Sequence, residues 1–140
     1  MKIAVLLMLL GGIPASASAS GACKRLPLDP ELPAGLAGSY EVVGKDPVTG
    51  SPYAGTLVLA HGKSNYRITR TTGGNANGDA WIESCGMDGI KALVGRYYTQ
   101  PVTEVSCALD ADGDNYYRAT CRTRQRGGQW RGLEAWFQQP

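Results

Sequence analysis

Apolar and polar residues alternate through residues 38–70, and the alternation is interrupted twice by clusters of turn formers. Tyr40 and Val42 alternate with Ser39 and Glu41, Leu57 and Leu59 repeat the period of two, and Tyr66 and Ile68 repeat it again. Three short strands are predicted. Asp46-Pro47-Val48-Thr49-Gly50 separates the first two: an Asp side chain bonds its own backbone, Pro fixes φ and Gly supplies a positive φ. His61-Gly62-Lys63-Ser64-Asn65 turns the second hairpin. The stretch reads as a β-meander.

The rest of the chain continues the pattern. Residues 71–79 are rich in Gly and Asn and read as a loop. A strand is expected over 80–85, with Trp81 and Glu83 on one face and Ile82 on the other. Residues 91–98 make the next strand, stopped by Gln100-Pro101, and two more flank an acidic turn at 110–115. Gly127-Gly128 leads into a last strand over 130–137. About eight strands at near-regular spacing predict an all-β domain, barrel or sandwich. A sequential meander closes most simply as an antiparallel up-and-down barrel, which also removes exposed edges.

Composition agrees with many tight turns: 19 Gly and 8 Pro stand beside 7 Tyr, 3 Trp and one Phe in 140 residues. One domain is expected over 38–140. Before it, Lys2 and the apolar run to Ile13 resemble an export leader, with small-residue cleavage sites ending at Ala17 or Ala19, so residues 1–19 are read as a signal peptide. Residues 20–37 carry Pro27, Pro30 and Pro33 and read as an extended arm, either a free spacer or a segment packed through Leu26, Leu28 and Leu32. The product is then periplasmic or secreted.

Charge is uneven. The chain carries a net +2, yet Arg118, Arg122, Arg124, Arg126 and Arg131 face only Glu134 in the tail, which leaves the preceding part of the mature chain net acidic. A nearly neutral chain with a basic end lacks the overall basicity of a nucleic-acid-binding domain, and no nucleic acid is expected among its partners.

Cys23, Cys85, Cys107 and Cys121 form an even set in an exported chain, which points to two disulfides. A hairpin turning about Asp114 sets Cys107 against Cys121, Leu109 against Ala119 and Val105 against Thr123 on one inward face. Cys23 and Cys85 then tie the arm to the barrel. No CxxC or His-rich spacing supports a metal site, and no metal or cofactor is expected. Ser20-Gly21-Ala22-Cys23 also resembles a bacterial lipobox, with Ser20 where that pattern prefers Leu. Lipidation of Cys23 would make the protein a lipoprotein, the one route to a membrane, and would leave an unpaired thiol.

Candidate chemistry is sparse. Asp110, Asp112 and Asp114 resemble the start of a calcium loop, but Asn115 replaces its Gly and Cys121 its bidentate Glu, so a solvated turn is expected. His61 lies in a turn without a nucleophile motif. Gly62-Lys63-Ser64 lacks the first glycine of a P-loop, since Leu57 stands there. The basic tail is more informative. Arg118, Arg122 and Arg124 share the face opposite Cys121, and Arg126, Trp130 and Arg131 follow. Such a ladder can hold carboxylate, phosphate or sulfate groups, with Trp130 and Tyr116 for stacking. Its bland counterpart is a solvated outer face balanced by Glu104.

Residues 38–70 resemble a group of small exported bacterial β-barrel proteins of uncharacterised function, some labelled fibronectin-binding. The likeness rests on Gly38, Tyr40, Val42, Gly44, Asp46-Pro47, Gly50, Tyr53, Gly55, Leu57, Leu59, Gly62, Tyr66 and Ile68, and more loosely on Asp88-Gly89 and Leu93. These are turn and core residues, so the resemblance implies a fold and no catalytic residue. The expected function is a non-enzymatic exported binding module engaging a protein or an anionic envelope polymer or glycan. The alternatives are a periplasmic inhibitor or immunity-type protein that inserts loop 71–79 into a cell-wall hydrolase, and an enzyme acting through Asp and Tyr groups.

Overall fold

A computed structural model describes residues 22–28, 35–71, 74–111 and 116–140. The leader at 1–19, Leu32 of the arm, and Asp112 and Asp114 lie outside the described residues. The described strands are β1 (Lys24–Arg25), β2 (Gly38–Lys45), β3 (Pro52–His61), β4 (Tyr66–Arg70), β5 (Ala76–Cys85), β6 (Ile90–Tyr97), β7 (Thr103–Ala111), β8 (Tyr117–Gln125) and β9 (Gly132–Gln138). From β2 to β9 every strand pairs antiparallel with the next, and β9 pairs back onto β2. The result is a closed eight-stranded up-and-down barrel with one added strand, and the choice between barrel and sandwich is settled for the barrel.

The period of two explains the interior. Tyr40, Val42, Leu57, Leu59, Tyr66, Ile68 and Val105 are buried, as their phase requires, and Leu93, Tyr97 and Trp136 join them. Burying one such side chain contributes about 1.5–3 kcal/mol, and a ring of them outweighs the entropy of ordering short strands. Leu109, expected to be inward, is partly buried at the end of the barrel opposite the β2–β3 turn. That end is closed by Leu36, which is 1% exposed, and the Tyr40 hydroxyl donates to the Leu36 carbonyl.

The turn between β2 and β3 is built as its residues dictate. Asp46 Oδ1 accepts the backbone N–H groups of Val48 and Thr49, both at 2.8 Å, and Gly50 takes φ 72°. The Thr49 amide bond holds the Asp46 carboxyl below the usual carboxylate range, outweighing with the Val48 amide bond the opposing effect of burial.

One boundary differs from the sequence reading. Residues 76–79 belong to β5, so the connection after β4 covers only 71–75. Asn77 and Gly78 are poor strand formers, and close packing overrides their propensity. Gly78 lies opposite Tyr97, and a Cβ on its neighbour Gly95 would stand 2.7 Å from the Asp79 carbonyl. Two glycines let β5 and β6 press together.

The arm is docked where it is described. β4 begins at Tyr66 opposite Ala80, so β5 outruns it. β1 occupies the vacated row, pairing Lys24 with Ser84 and Arg25 with Glu83, while Leu26 N donates to Ile82 O at 2.9 Å. Leu26 and Leu28 pack on the core. Cys23–Cys85 staples this joint and Cys107–Cys121 bridges β7 to β8, in the pairing expected from the hairpin register. With its sulfur committed to Cys85, Cys23 has no free thiol here to carry a diacylglyceryl thioether. Two disulfides fit an oxidising, non-cytoplasmic compartment.

Candidate functional site

Two places concentrate polar chemistry, one outside the barrel and one at its mouth. The outside one contains most of the basic residues singled out in the sequence. Arg122 and Arg124 are two apart on β8 and point outward; their guanidinium carbons lie 5.0 and 4.4 Å from the ring centre of Trp130. A guanidinium on an indole face keeps its in-plane donors available while the ring holds its orientation. Arg124 is half-buried rather than simply solvated, because its Nε bonds Glu104 Oε2 at 2.7 Å on the neighbouring strand. Arg126 Nε is 3.6 Å from Glu104 Oε1, and Arg131 donates twice to Gln129 Oε1.

Arg118 stands apart. It is exposed on the same outward face of β8, four residues before Arg122, and pairs across from Asp110 and Phe137 towards the end of the strand away from Trp130. Trp130 precedes β9 and sits in the β8–β9 loop instead of opening a strand.

A groove of about 300 Å³ crosses the outer face from β5 to β8, framed by Trp81 and Trp130 and floored by Arg96, Glu104 and Arg124. The Trp81 end repeats the motif: Arg25 and Arg96 lie 4.7 and 5.7 Å from its ring centre, and its Nε1 donates to Glu83 Oε1 at 2.9 Å. Arg96 is itself fixed by two bonds to Asp79, at 2.7 and 3.1 Å. Across this face Arg25, Arg96, Arg122, Arg124, Arg126 and Arg131 outnumber Asp79, Glu83 and Glu104.

The mouth lies at the barrel end that carries the β2–β3, β4–β5, β6–β7 and β8–β9 connections. Here the interior turns polar. Glu134 points inward from β9, is 2% exposed, and has its two oxygens saturated. Tyr53 OH (2.6 Å) and Arg70 Nη1 (3.2 Å) reach Oε1; Tyr97 OH (2.7 Å) and Trp136 Nε1 (2.8 Å) reach Oε2. The Arg70 guanidinium carbon lies 4.9 and 4.5 Å from the ring centres of Tyr53 and Tyr97. Burial, reinforced by the Glu134 charge, pushes both phenols well above their ordinary value, and Arg70 only partly offsets this. The two tyrosines are therefore fixed donors. Above them opens a cavity of about 220 Å³ reached by Asp46, Thr99, Thr103, Thr123 and Gln125.

Sequence reasoning passed over Arg70, Tyr97 and Glu134. A signal was present: Arg70 is in phase with buried Tyr66 and Ile68, and Glu134 with buried Trp136. Opposite charges at inward-phase positions mark a buried pair, because a lone buried charge is too costly.

Elsewhere the described residues offer little chemistry. His61 is exposed at the end of β3, its ring 5.2 Å from that of Tyr66. Cys23, Glu83 and Cys85 cluster closely, but both sulfurs are in a disulfide and provide no thiolate for a metal. Asp110 accepts the Ala111 amide at 2.9 Å.

The fold and these two places define a closed antiparallel barrel with a polar mouth and an arginine–tryptophan outer face. Comparison with protein-family models, curated proteins and solved structures finds no match to the chain. The resemblance of residues 38–70 thus rests on those residues alone.

Proposed function

We propose that the protein is a non-enzymatic exported binding module whose outer groove engages an anionic polymer or glycan of the cell envelope. The observation that carries this reading is the clamp of Arg122 and Arg124 on Trp130. Two guanidinium groups held over one indole, one of them also anchored through its Nε by Glu104, are restrained before an anionic group arrives, so less side-chain entropy remains to be lost on binding. Trp81 at the other end of the groove adds a second flat ring for a sugar face. At the mouth, Tyr53, Arg70, Tyr97 and Trp136 engage both Glu134 oxygens, which leaves the carboxylate committed to contacts within the fold. The inhibitor alternative rests on loop 71–79, which four strand residues shorten.

The test compares the wild type with the Arg122→Ser/Arg124→Ser variant on an immobilised uronic-acid polysaccharide and on an acidic protein. The double variant is expected to lose about tenfold or more in polysaccharide affinity while unfolding within a few degrees of wild type. Equal polysaccharide affinity of the two proteins at low salt would sink the reading. Retention on the acidic protein alone would move the partner from glycan to protein.

A further inference from the structure

We propose that the cavity at the barrel mouth is a second binding site, which holds one neutral sugar residue. Three observations converge on it. The first is an unmet hydrogen bond. Thr123 lines the cavity from β8, is 1% exposed, and its hydroxyl, packed against Gly132 and barely reached by solvent, has no hydrogen-bond partner among the described residues. A buried hydroxyl without a bond is disfavoured, and folded proteins leave few of them unless something outside the chain completes the pair. Gly132 faces Thr123 across the strand pair, and any Cβ there would collide with that hydroxyl, so the position next to it must stay bare.

The second is the direction of the neighbouring hydroxyls. Thr99 Oγ1 donates to the Pro101 carbonyl at 2.7 Å, which spends its only proton. The 2.9 Å contact between Thr99 and Thr103 must then run from Thr103 to Thr99, and both oxygens keep acceptor capacity on the cavity wall. Gln125 adds a carboxamide at the rim, with donor and acceptor side by side. A ligand bearing several hydroxyls on one ring meets such a mixture of acceptors and donors. Pro47, Val48 and Ala76 provide apolar wall for the C–H face of the ring.

The third is size and charge. At about 220 Å³ the cavity is smaller than the roughly 300–1,000 Å³ of sites for drug-sized ligands, and it admits one ring rather than a chain. Arg70 is the cation among the described lining residues and is flanked by two carboxylates, Glu134 and Asp46. The balance is negative, which repels an acidic ligand, while the saturation of Glu134 removes the reason to bind a cation. A neutral polyol remains. This site is distinct from the outer groove in residues and in the sign of its field.

The experiment titrates the ¹⁵N-labelled full chain with glucose, galactose and N-acetylglucosamine, with glucuronic acid as the charged control. At least one neutral sugar is expected to shift the amide signals of Thr103, Thr123 and Gln125, with glucuronic acid binding more weakly. Thr123→Val removes the hydroxyl at constant shape; it should weaken the sugar about tenfold and leave the unfolding midpoint equal to or above wild type. Gln125→Leu, at the rim, gives a second variant expected to weaken binding should Thr123→Val fold poorly. The Arg122→Ser/Arg124→Ser variant should bind the sugar as wild type does, so loss of the outer-groove reading leaves this result standing. The inference is overturned if none of the three neutral sugars moves the mouth amides, if glucuronic acid binds as tightly as glucose, or if both mouth variants bind like wild type.

Discussion

Two carboxylates are held inside or against this barrel, and their surroundings set opposite lessons. Glu134 is fully desolvated, so its stability depends on never losing a donor. Among the described residues Arg70 supplies its counter-charge, at 3.2 Å, with side-chain exposures of 12% and 0% for the pair. Removing one partner of a buried pair strands the other charge, and that costs about 3–5 kcal/mol. Arg70→Met is therefore expected to lower stability by about that amount in urea unfolding, more than Tyr53→Phe, which removes one neutral donor and costs about 1–3 kcal/mol. A loss smaller for Arg70→Met than for Tyr53→Phe would mean that the Arg70–Glu134 ion pair is not the main contact holding the mouth. Asp79 is a buried carboxylate whose ion-pair partner, Arg96, is partly exposed on the outer face. Burial works to raise its carboxyl, but hydrogen bonds from Arg96, Tyr98 and Asn65 and the Arg96 charge prevail and hold it below its ordinary value of 3.8. A carboxyl lowered by folding binds its proton more tightly in the unfolded chain. Its contribution is therefore present above about pH 4 and is lost as pH falls through the lower folded value. Asp79→Asn should be less stable than wild type at neutral pH, and the two stability curves should converge below about pH 4. Curves that stay parallel through the acid range would remove Asp79 from the acid response. Arg96 is about two-fifths exposed, so solvent screening keeps the effect small.

At the scale of elements, the sequence was legible where side-chain phase alone decides. The strands of residues 38–70 and the β7–β8 register follow from alternation, and the register then fixed Cys107–Cys121 with Leu109 opposite Ala119 and Val105 opposite Thr123. It was illegible where tertiary contact overrides propensity. Asn77 and Gly78 read as loop, yet they extend β5 because β6 approaches at Gly95 too closely for side chains. Trp130 reads as strand by aromatic content, yet it stays in the β8–β9 loop with Arg122 and Arg124 against its ring. The arm was undecided for a related reason. Whether Pro-rich chain docks depends on a vacancy elsewhere, here the row beside β5 that β4 leaves open, and no local pattern announces that vacancy. The mouth was half legible. Tyr53 stood among the residues of the resemblance, but the pairing of Arg70 with Glu134 joins residues far apart in sequence and appears only once the ring closes through β9 and β2.

At the scale of the molecule, closure sorts charge into two fields. Inward phase carries Glu134 and Arg70 into a wall of hydroxyls, and outward phase carries the arginines of β6, β8 and the β8–β9 loop onto one side. The fields are exposed to salt unequally. Charges on the outer groove interact through solvent, where the screening length falls from about 10 Å at 0.1 M to about 3 Å at 1 M. Hydrogen bonds to a neutral ring in the mouth carry no net charge to screen. A single sample should therefore separate the sites: over that range of sodium chloride, affinity for the uronic-acid polysaccharide should fall by about an order of magnitude or more. Affinity for the neutral sugar, read from the Gln125 amide, should stay within about twofold. The same titrations on Arg122→Ser/Arg124→Ser should show a flatter salt dependence for the polysaccharide and an unchanged one for the sugar. If both ligands weakened in parallel, they would share one charged site, and the division of the barrel into an anion-binding face and a neutral mouth would be wrong.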